Sequence, residues 1–260
     1  MRIALGVEYD GSAFRGFQRQ QPGVRTVQAC LEKALGRIAA HEVTITCAGR
    51  TDAGVHALGQ VIHFDTDALR PPHAWVLGTN SHLPRDVSVQ WAKVVDDAFH
   101  ARFSAKARRY RYQILNRPQR SALFAARWAW VHKPLALEPM VAAAASFCGE
   151  RDFSSLRGAD CQAKSPVRTV HTVDVKRRGD AFWVDVEANA FLHHMVRNLV
   201  GILLAIGGGD REVAWAEAVL AARDRTRAGV TAPAQGLCLM AVSYDHAVAL
   251  PKPPPPPEAL

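Results

Sequence analysis

Residues 47–57, CAGRTDAGVHA, set an arginine, a threonine and an aspartate in a row between Gly49 and Gly54, with His56 close behind. In an extended loop residues i and i+2 point to the same side, so Arg50 and Asp52 share a face. A guanidinium near a carboxylate favours the ionised form, which makes Asp52 a candidate nucleophile or base. The flanking glycines permit tight turns and close approach of a ligand to the backbone. The same residues also read as an Asx-turn in which Asp52 only caps a local amide. Spacing leaves both open.

Two further stretches could carry chemistry. From Leu192 a helical pattern places Leu192, Met195, Val196, Leu199, Leu203 and Ile206 on one side, and His193, His194, Arg197, Asn198 and Gly201 in a polar stripe. An arginine beside a glycine on so apolar a helix faces either solvent or a buried anion. Adjacent histidines diverge by about 100° on a helix and lack the HExxH spacing, so a metal-dependent hydrolase built on His56, His193, His194 and Asp52 is disfavoured. In AKARRYRYQIL, Tyr110 and Tyr112 share one strand face and Arg109 and Arg111 the other, as base stacking and phosphate contact require and as an ordinary half-buried strand also shows. More basic residues fall in segments read as loops or turns: Arg15, Arg19, Arg117, Arg120, residues 176–178, Arg223, Arg225 and Arg227. If they converge they form a phosphate-binding track. No Walker motif, no GxGxxG after a strand and no GxSxG occurs.

The elements that must position these residues are legible from periodicity. A chain of 260 residues with 48% hydrophobic residues can bury a full core in one or two domains. Its 32 Lys and Arg against 24 Asp and Glu leave a net charge of +8, which suits a polyanionic partner. The segment MRIALGVEYDGS turns polar too early for a signal peptide, and no run reaches the roughly 18–20 apolar residues of a membrane-spanning helix. Five cysteines without CxxC spacing fit a reducing cytoplasm better than a disulfide framework.

Residues 2–9 read as a strand, and Thr26 as the N-cap of a helix running to about Ala40. Strands are expected at 43–48 and 60–64, a helix at 73–82 and a strand around Val87, Val89 and Trp91. The second half repeats the order. A strand at 109–115 is followed by a helix opened by Pro139 and closed by Gly149, and by a hairpin of 170–176 and 182–188. Helices at 192–206 and 212–222 and a strand at 237–244 complete it. The expected fold class is α+β: two similar β-α-β-β-α-β, ferredoxin-like halves, 1–104 and 105–246, sharing a mainly antiparallel sheet. The proline-rich residues 247–260 are expected to be a disordered tail.

Five blocks of the sequence resemble one family, the tRNA pseudouridine synthases of the A type: YDGSAFRGFQRQ (9–20), CAGRTDAGVHA, FHARFSAKARRYRY (99–112), FLHHMVRNLVG (191–201) and APAQGLCL (232–239). Together they span nearly the whole chain. The departure is Phe17, where the family more often has tryptophan. The resemblance implies an isomerase that converts uridine to pseudouridine in the anticodon stem–loop of tRNA, at positions 38, 39 and 40. It makes Asp52 the catalytic nucleophile and Tyr110 the ring packed on the target uracil. It also makes Arg197 the partner of the catalytic carboxylate, Arg50 the residue that helps extrude the nucleotide, and Leu237 part of the pocket wall. It further implies a continuous sheet with a central basic cleft, a homodimer, and no metal or organic cofactor. The alternative from another class is an RNA-binding protein of ferredoxin-like fold without catalysis. The trio Arg50, Asp52 and Arg197 speaks against that, because a carboxylate repels phosphate.

Overall fold

The apolar run at the start of the chain forms β1 (Arg2–Tyr9), buried along most of its length. Thr26 then caps α1 (Val27–Ala39), its side chain accepting from the Ala29 amide, and Leu31, Ala34 and Leu35 turn inward at helical spacing. There follow β2 (Thr46–Cys47), β3 (His56–Asp65), α2 (Pro72–His82) and β4 (Val87–Val95). The computed structural model describes residues 1–253. They divide into two units, Met1–Lys106 with the described residues from Cys238 onward, and Ala107–Leu237.

In the first unit β1 lies between β4 and β3, antiparallel to both. Trp75 of α2 packs edge-on against Phe64 of β3, ring centroids 5.2 Å apart. A second apolar cluster gathers Ala4, Ala48, Val61, Phe99 and Ala101.

The second unit opens with β5 (Ala107–Asn116) and β6 (Ala129–Val131), which run parallel, and continues through α3 (Leu137–Ala144) and β7 (Gly149–Asp152). Next come β8 (Val167–Arg178), β9 (Ala181–Ala188), α4 (Met195–Gly207) and α5 (Trp215–Ala222). The sheet order is β5-β9-β8-β7, all antiparallel, and Gly179, φ 60°, makes the tight β8–β9 turn. The closing strand β10 (Leu237–Ser243) runs parallel to β3, pairing Cys238 with His56 and Leu239 with Ala57. The class is α+β with mostly antiparallel pairing, and five α-helices occur among the described residues. None of them is long and apolar enough to cross a membrane.

Several boundaries differ from the sequence reading. Of 43–48 only Thr46 and Cys47 pair, whereas β3 begins at His56, inside the motif. The 139–149 helix starts at Leu137 and gives way to a 3-10 turn at Ala145–Phe147, with Gly149 at φ 93° opening β7. The helix expected from Leu192 starts at Met195, because His194 adopts a left-handed backbone, φ 62°. His193 and His194 therefore precede the helix and belong to no helical stripe. Residues 176–178 lie in β8, not in a turn. The expected tail, 247–260, is ordered at its start: a 3-10 turn His246–Val248 leads into it, Val248 and Leu250 pack on the Ala4 cluster, and Lys93 Nζ donates to the Val248 and Ala249 carbonyls at 2.9 and 2.8 Å. The remainder, 254–260, lies outside the described residues.

Candidate active site

Asp52 stands in the loop between β2 and β3, and buried polar groups fix that loop on both sides. Nε2 of the fully buried Gln60 donates to the Gly49 carbonyl at 2.6 Å. The Tyr9 hydroxyl and Thr51 Oγ1 are 2.8 Å apart, both buried. The Phe17 amide donates to the Thr51 carbonyl at 3.0 Å. The Val55 amide donates to the Asp52 carbonyl at 3.2 Å, closing a β-turn whose third residue is Gly54, φ 78°. That conformation is why a glycine stands two residues after the aspartate. Arg50 is exposed and Asp52 half-buried. The thiol beside this loop is no competing nucleophile: desolvation pushes Cys47 up to about 11, although Arg50 and Arg102 pull the other way.

Residues 10–25 form a wall against this loop. The Gly11 amide lies 3.0 Å from His56 Nδ1, and Asp10 Oδ1 lies 3.2 Å from the same nitrogen. The ring accepts from Gly11 when Nδ1 is bare and donates to Asp10 when it is protonated. The His56 contact, helped by the Ser12 hydroxyl and amide, holds the Asp10 carboxyl well below the usual carboxylate range. The Gly54 amide donates to the Phe14 carbonyl at 3.3 Å, so both ends of the Asp52 turn rest on this wall. Farther along it, Arg19 pairs with the buried Glu32, whose Oε1 also accepts from Gln28 Nε2 at 2.8 Å and the Ile45 amide at 3.1 Å.

The second unit holds the other expected residues. Tyr110 on β5 faces Val186 of β9 and is 8% exposed, its ring perpendicular to Phe191 at 5.1 Å. Arg197 lies in the first turn of α4. Its Nε donates to the Ala232 carbonyl at 2.8 Å, and its own carbonyl accepts from the Ala232 amide at 3.1 Å. This double link sets the direction of the guanidinium. Leu237, buried, follows the 3-10 turn Ala234–Gly236. That turn is docked through Tyr112, whose hydroxyl donates to the Pro233 carbonyl at 2.8 Å. Burial drives the Tyr112 hydroxyl well above its usual range, against the opposing charge of Arg197, so it is a structural donor.

The basic track is only partly available. Arg111 makes a two-pronged pair with Asp185 at 2.8 and 2.9 Å. Arg225 points into its own unit, donating to the Ala228 and Gly229 carbonyls, Asn198 Oδ1 and Thr231 Oγ1. Asn198, placed by periodicity on a polar stripe, is 1% exposed and also donates to the Leu156 carbonyl at 2.8 Å. Asn198→Leu removes that donor and the acceptor of a guanidinium together, so it should lower unfolding free energy by about 3 kcal/mol. A urea midpoint close to wild type would contradict that network.

Sequence reasoning missed residues that hold the Asp52 loop and its wall: Tyr9, Gly11, Gln60 and Glu32. A signal existed for Gln60, a polar residue inside the run HALGQVIHFD, where a buried amide must have a partner. Tyr9 and Gly11 lie 42 and 45 residues from what they hold, and Glu32 lies 13 from the Ile45 amide.

The tRNA pseudouridine synthase family matches residues 6–104 and 143–245. A tRNA pseudouridine synthase A of Nitrosococcus oceani is 57% identical over 247 residues, 95% of each chain. The protein of that name from Pseudomonas aeruginosa is 54% identical over 251 residues, 96% of this chain and 88% of its own. That from Alcanivorax borkumensis is 51% identical over 253 residues, 97% and 95% respectively. With the matched residues covering both units and the Asp52 loop, the chain belongs to the tRNA pseudouridine synthase family.

Proposed function

We propose that the protein isomerises uridine to pseudouridine in the anticodon stem–loop of tRNA, at positions 38, 39 and 40, with Asp52 as the nucleophile. The observation that carries this reading is the clamp on Gly49 and Thr51, which presents a half-buried carboxylate and an exposed guanidinium from one rigid loop. A protein that only bound RNA has no use for a buried hydrogen-bond system that fixes a carboxylate toward a polyanion.

The reaction moves the glycosidic bond from N1 to C5 of the same uracil, with no net change in composition. Asp52 attacks C1′ or C6, or takes the C2′ proton. In each route the C1′–N1 bond breaks and the base turns; C1′ then bonds to C5. C5 loses its proton while N1 gains one, and Asp52 is released, returning any proton taken from C2′. The reading requires Arg197 to meet the Asp52 carboxylate, as the family resemblance assigns, and Arg50 to help hold the nucleotide out of its stack. Flipping costs a few kcal/mol, offset by stacking and phosphate contact. Tyr110 would pack on the freed uracil and its hydroxyl would assist loss of the C5 proton, while Leu237 lines the pocket. The same reading takes the two units as the family's ferredoxin-like halves, and the enzyme as a cytoplasmic homodimer.

Mapping pseudouridine in an unmodified tRNA transcript after incubation tests the assignment. Product at 38, 39 or 40 is expected; product elsewhere alone would overturn the site preference. Tyr110→Phe should lower the single-turnover rate by about 100-fold while leaving tRNA affinity within about twofold. A rate equal to wild type would remove the hydroxyl from the chemistry.

A further inference from the structure

The block FHARFS, residues 99–104, has no role in the reaction as described above, yet it builds an unusual piece of surface. Phe103 is 77% exposed. An aromatic ring so exposed would ordinarily rotate freely, and this one is held. Its ring stacks on His100, centroids 4.3 Å and planes 28° apart, and His100 meets His63 edge-on at 4.8 Å. His63 is buried. Both imidazoles are oriented by main-chain amides: Arg102 and Phe103 donate to His100 Nδ1 at 3.2 and 3.1 Å, and Ala101 donates to His63 Nδ1 at 3.1 Å. Burial pushes His63 down to about 4 and also lowers His100, so the support under the ring is uncharged at neutral pH.

The loop itself is tied down at both ends. Arg2 donates to the Phe99 carbonyl at 2.8 Å, Tyr244 to the Ala101 carbonyl at 2.7 Å, and the Lys106 amide to the Ser243 carbonyl at 2.8 Å. Within it, the Ser104 amide donates to the His100 carbonyl at 2.9 Å and the His100 amide to Ser104 Oγ at 3.0 Å. The backbone therefore cannot fold Phe103 inward to escape water. Arg102, exposed, lies over the same ring at 5.6 Å. Phe99 and Ala101 pack in one apolar cluster with Ala48, which sets this loop beside the segment leading to Asp52.

We propose that Phe103 is a stacking platform for one unpaired base of the bound tRNA, with Arg102 gripping the adjoining phosphate. The chemistry favours RNA over a second copy of the chain. A flat ring paired with a cation suits a π-face next to an anion, and a base offers both within one nucleotide. A rigid ring also loses little conformational entropy on binding. The stacked base must be unpaired, because a base inside a duplex has no free face. This rests on tRNA being the substrate but not on Asp52 being the nucleophile.

The test compares Phe103→Ala, Phe103→Leu and Phe103→Trp in the full-length chain, with unmodified tRNA transcript as ligand. The alanine and leucine variants should bind tRNA about 5- to 100-fold more weakly, and tryptophan should bind at least as well as wild type. Removing a stacking face leaves the slope of log Kd against log salt unchanged, whereas Arg102→Ala should reduce that slope by about one. Because Phe103 is solvent-exposed, melting temperatures should match wild type. Wild-type affinity in Phe103→Leu, or a loss of binding that only tracks a change in sedimentation mass, would overturn the platform. Asp52→Asn, measured alongside, separates this outcome from the catalytic assignment, since it bears on turnover and not on the effect of Phe103 on affinity.

Discussion

Asp52→Asn is expected to abolish pseudouridine formation, by at least about 10⁴-fold, while tRNA affinity and melting temperature stay near wild type. The amide is isosteric with the carboxylate, and the loop around it is fixed by the main chain of Gly49, Thr51 and Asp52 and by the side chains of Tyr9, Thr51 and Gln60. None of these bonds uses the Asp52 carboxylate. The substitution therefore removes the attacking or proton-accepting oxygen while keeping these loop bonds. Nucleophilic catalysis has no fallback when its one nucleophile is neutral, and Cys47, the nearby thiol, remains protonated. Tritium release from C5-labelled tRNA measures the effect directly. Multiple turnovers by the asparagine variant would sink the assignment; a lost melting transition would instead show that the carboxylate is structural.

Gly11→Ala is expected to be the second largest effect, although Gly11 touches no substrate in the proposed reaction. A Cβ at this position would sit 1.9 Å from the Val55 carbonyl oxygen and 2.5 Å from its carbon. Both are backbone atoms, so no rotamer change relieves the clash. Either the 3-10 turn Gly11–Ala13 or the turn from Asp52 to Val55 must shift. Overpacking of this kind costs about 1–3 kcal/mol. A displacement on the order of 1 Å at a reacting group costs about 100-fold in rate. The expected result is a stable protein of lowered melting temperature with kcat down by about 100-fold and tRNA affinity much less affected. If Gly11→Ala turned over at the wild-type rate, the wall of residues 10–25 would not be what positions Asp52.

The sequence declared its elements where side-chain periodicity and caps agree. Arg2–Tyr9 and Val27–Ala39 follow from an apolar strand run and from Thr26 before a helical stripe, and their observed bounds match. The short strands Ala129–Val131 and Gly149–Asp152 were invisible because three or four residues carry no usable alternation. The start of α4 was misplaced for a different reason. Leu192 and Met195 are both buried and keep helical spacing, yet the chain bends through a left-handed His194 that no side-chain pattern announces. The chemistry was legible in GRTDAGVH as residue types, but not its support. Tyr9 and Thr51 are 42 residues apart, and Asn198 and Thr231 33 apart, so their pairings exist only after folding. Arg225 shows the converse error. Counted as a surface cation, it spends its donors on carbonyls and on Asn198.

The return of β10 to the first unit has a consequence for how the protein is made. The strand that carries His56 and follows the Asp52 loop receives its partner from Cys238 and Leu239, after the whole of Ala107–Leu237 has been synthesised. Until Cys238 and Leu239 are made, His56 and Ala57 lack their β10 partners, although β2 already covers Ile62 and His63, and the Ala4 cluster lacks Val242 and Tyr244. Unpaired edges and incomplete cores are where nascent chains associate wrongly. A chain released early therefore carries the complete GRTDAGVH motif and its clamp but lacks the β10 pairing at His56 and Ala57. Because β10 follows Ala107–Leu237 in the chain, full support of the strand after the Asp52 loop waits until synthesis has passed Leu239.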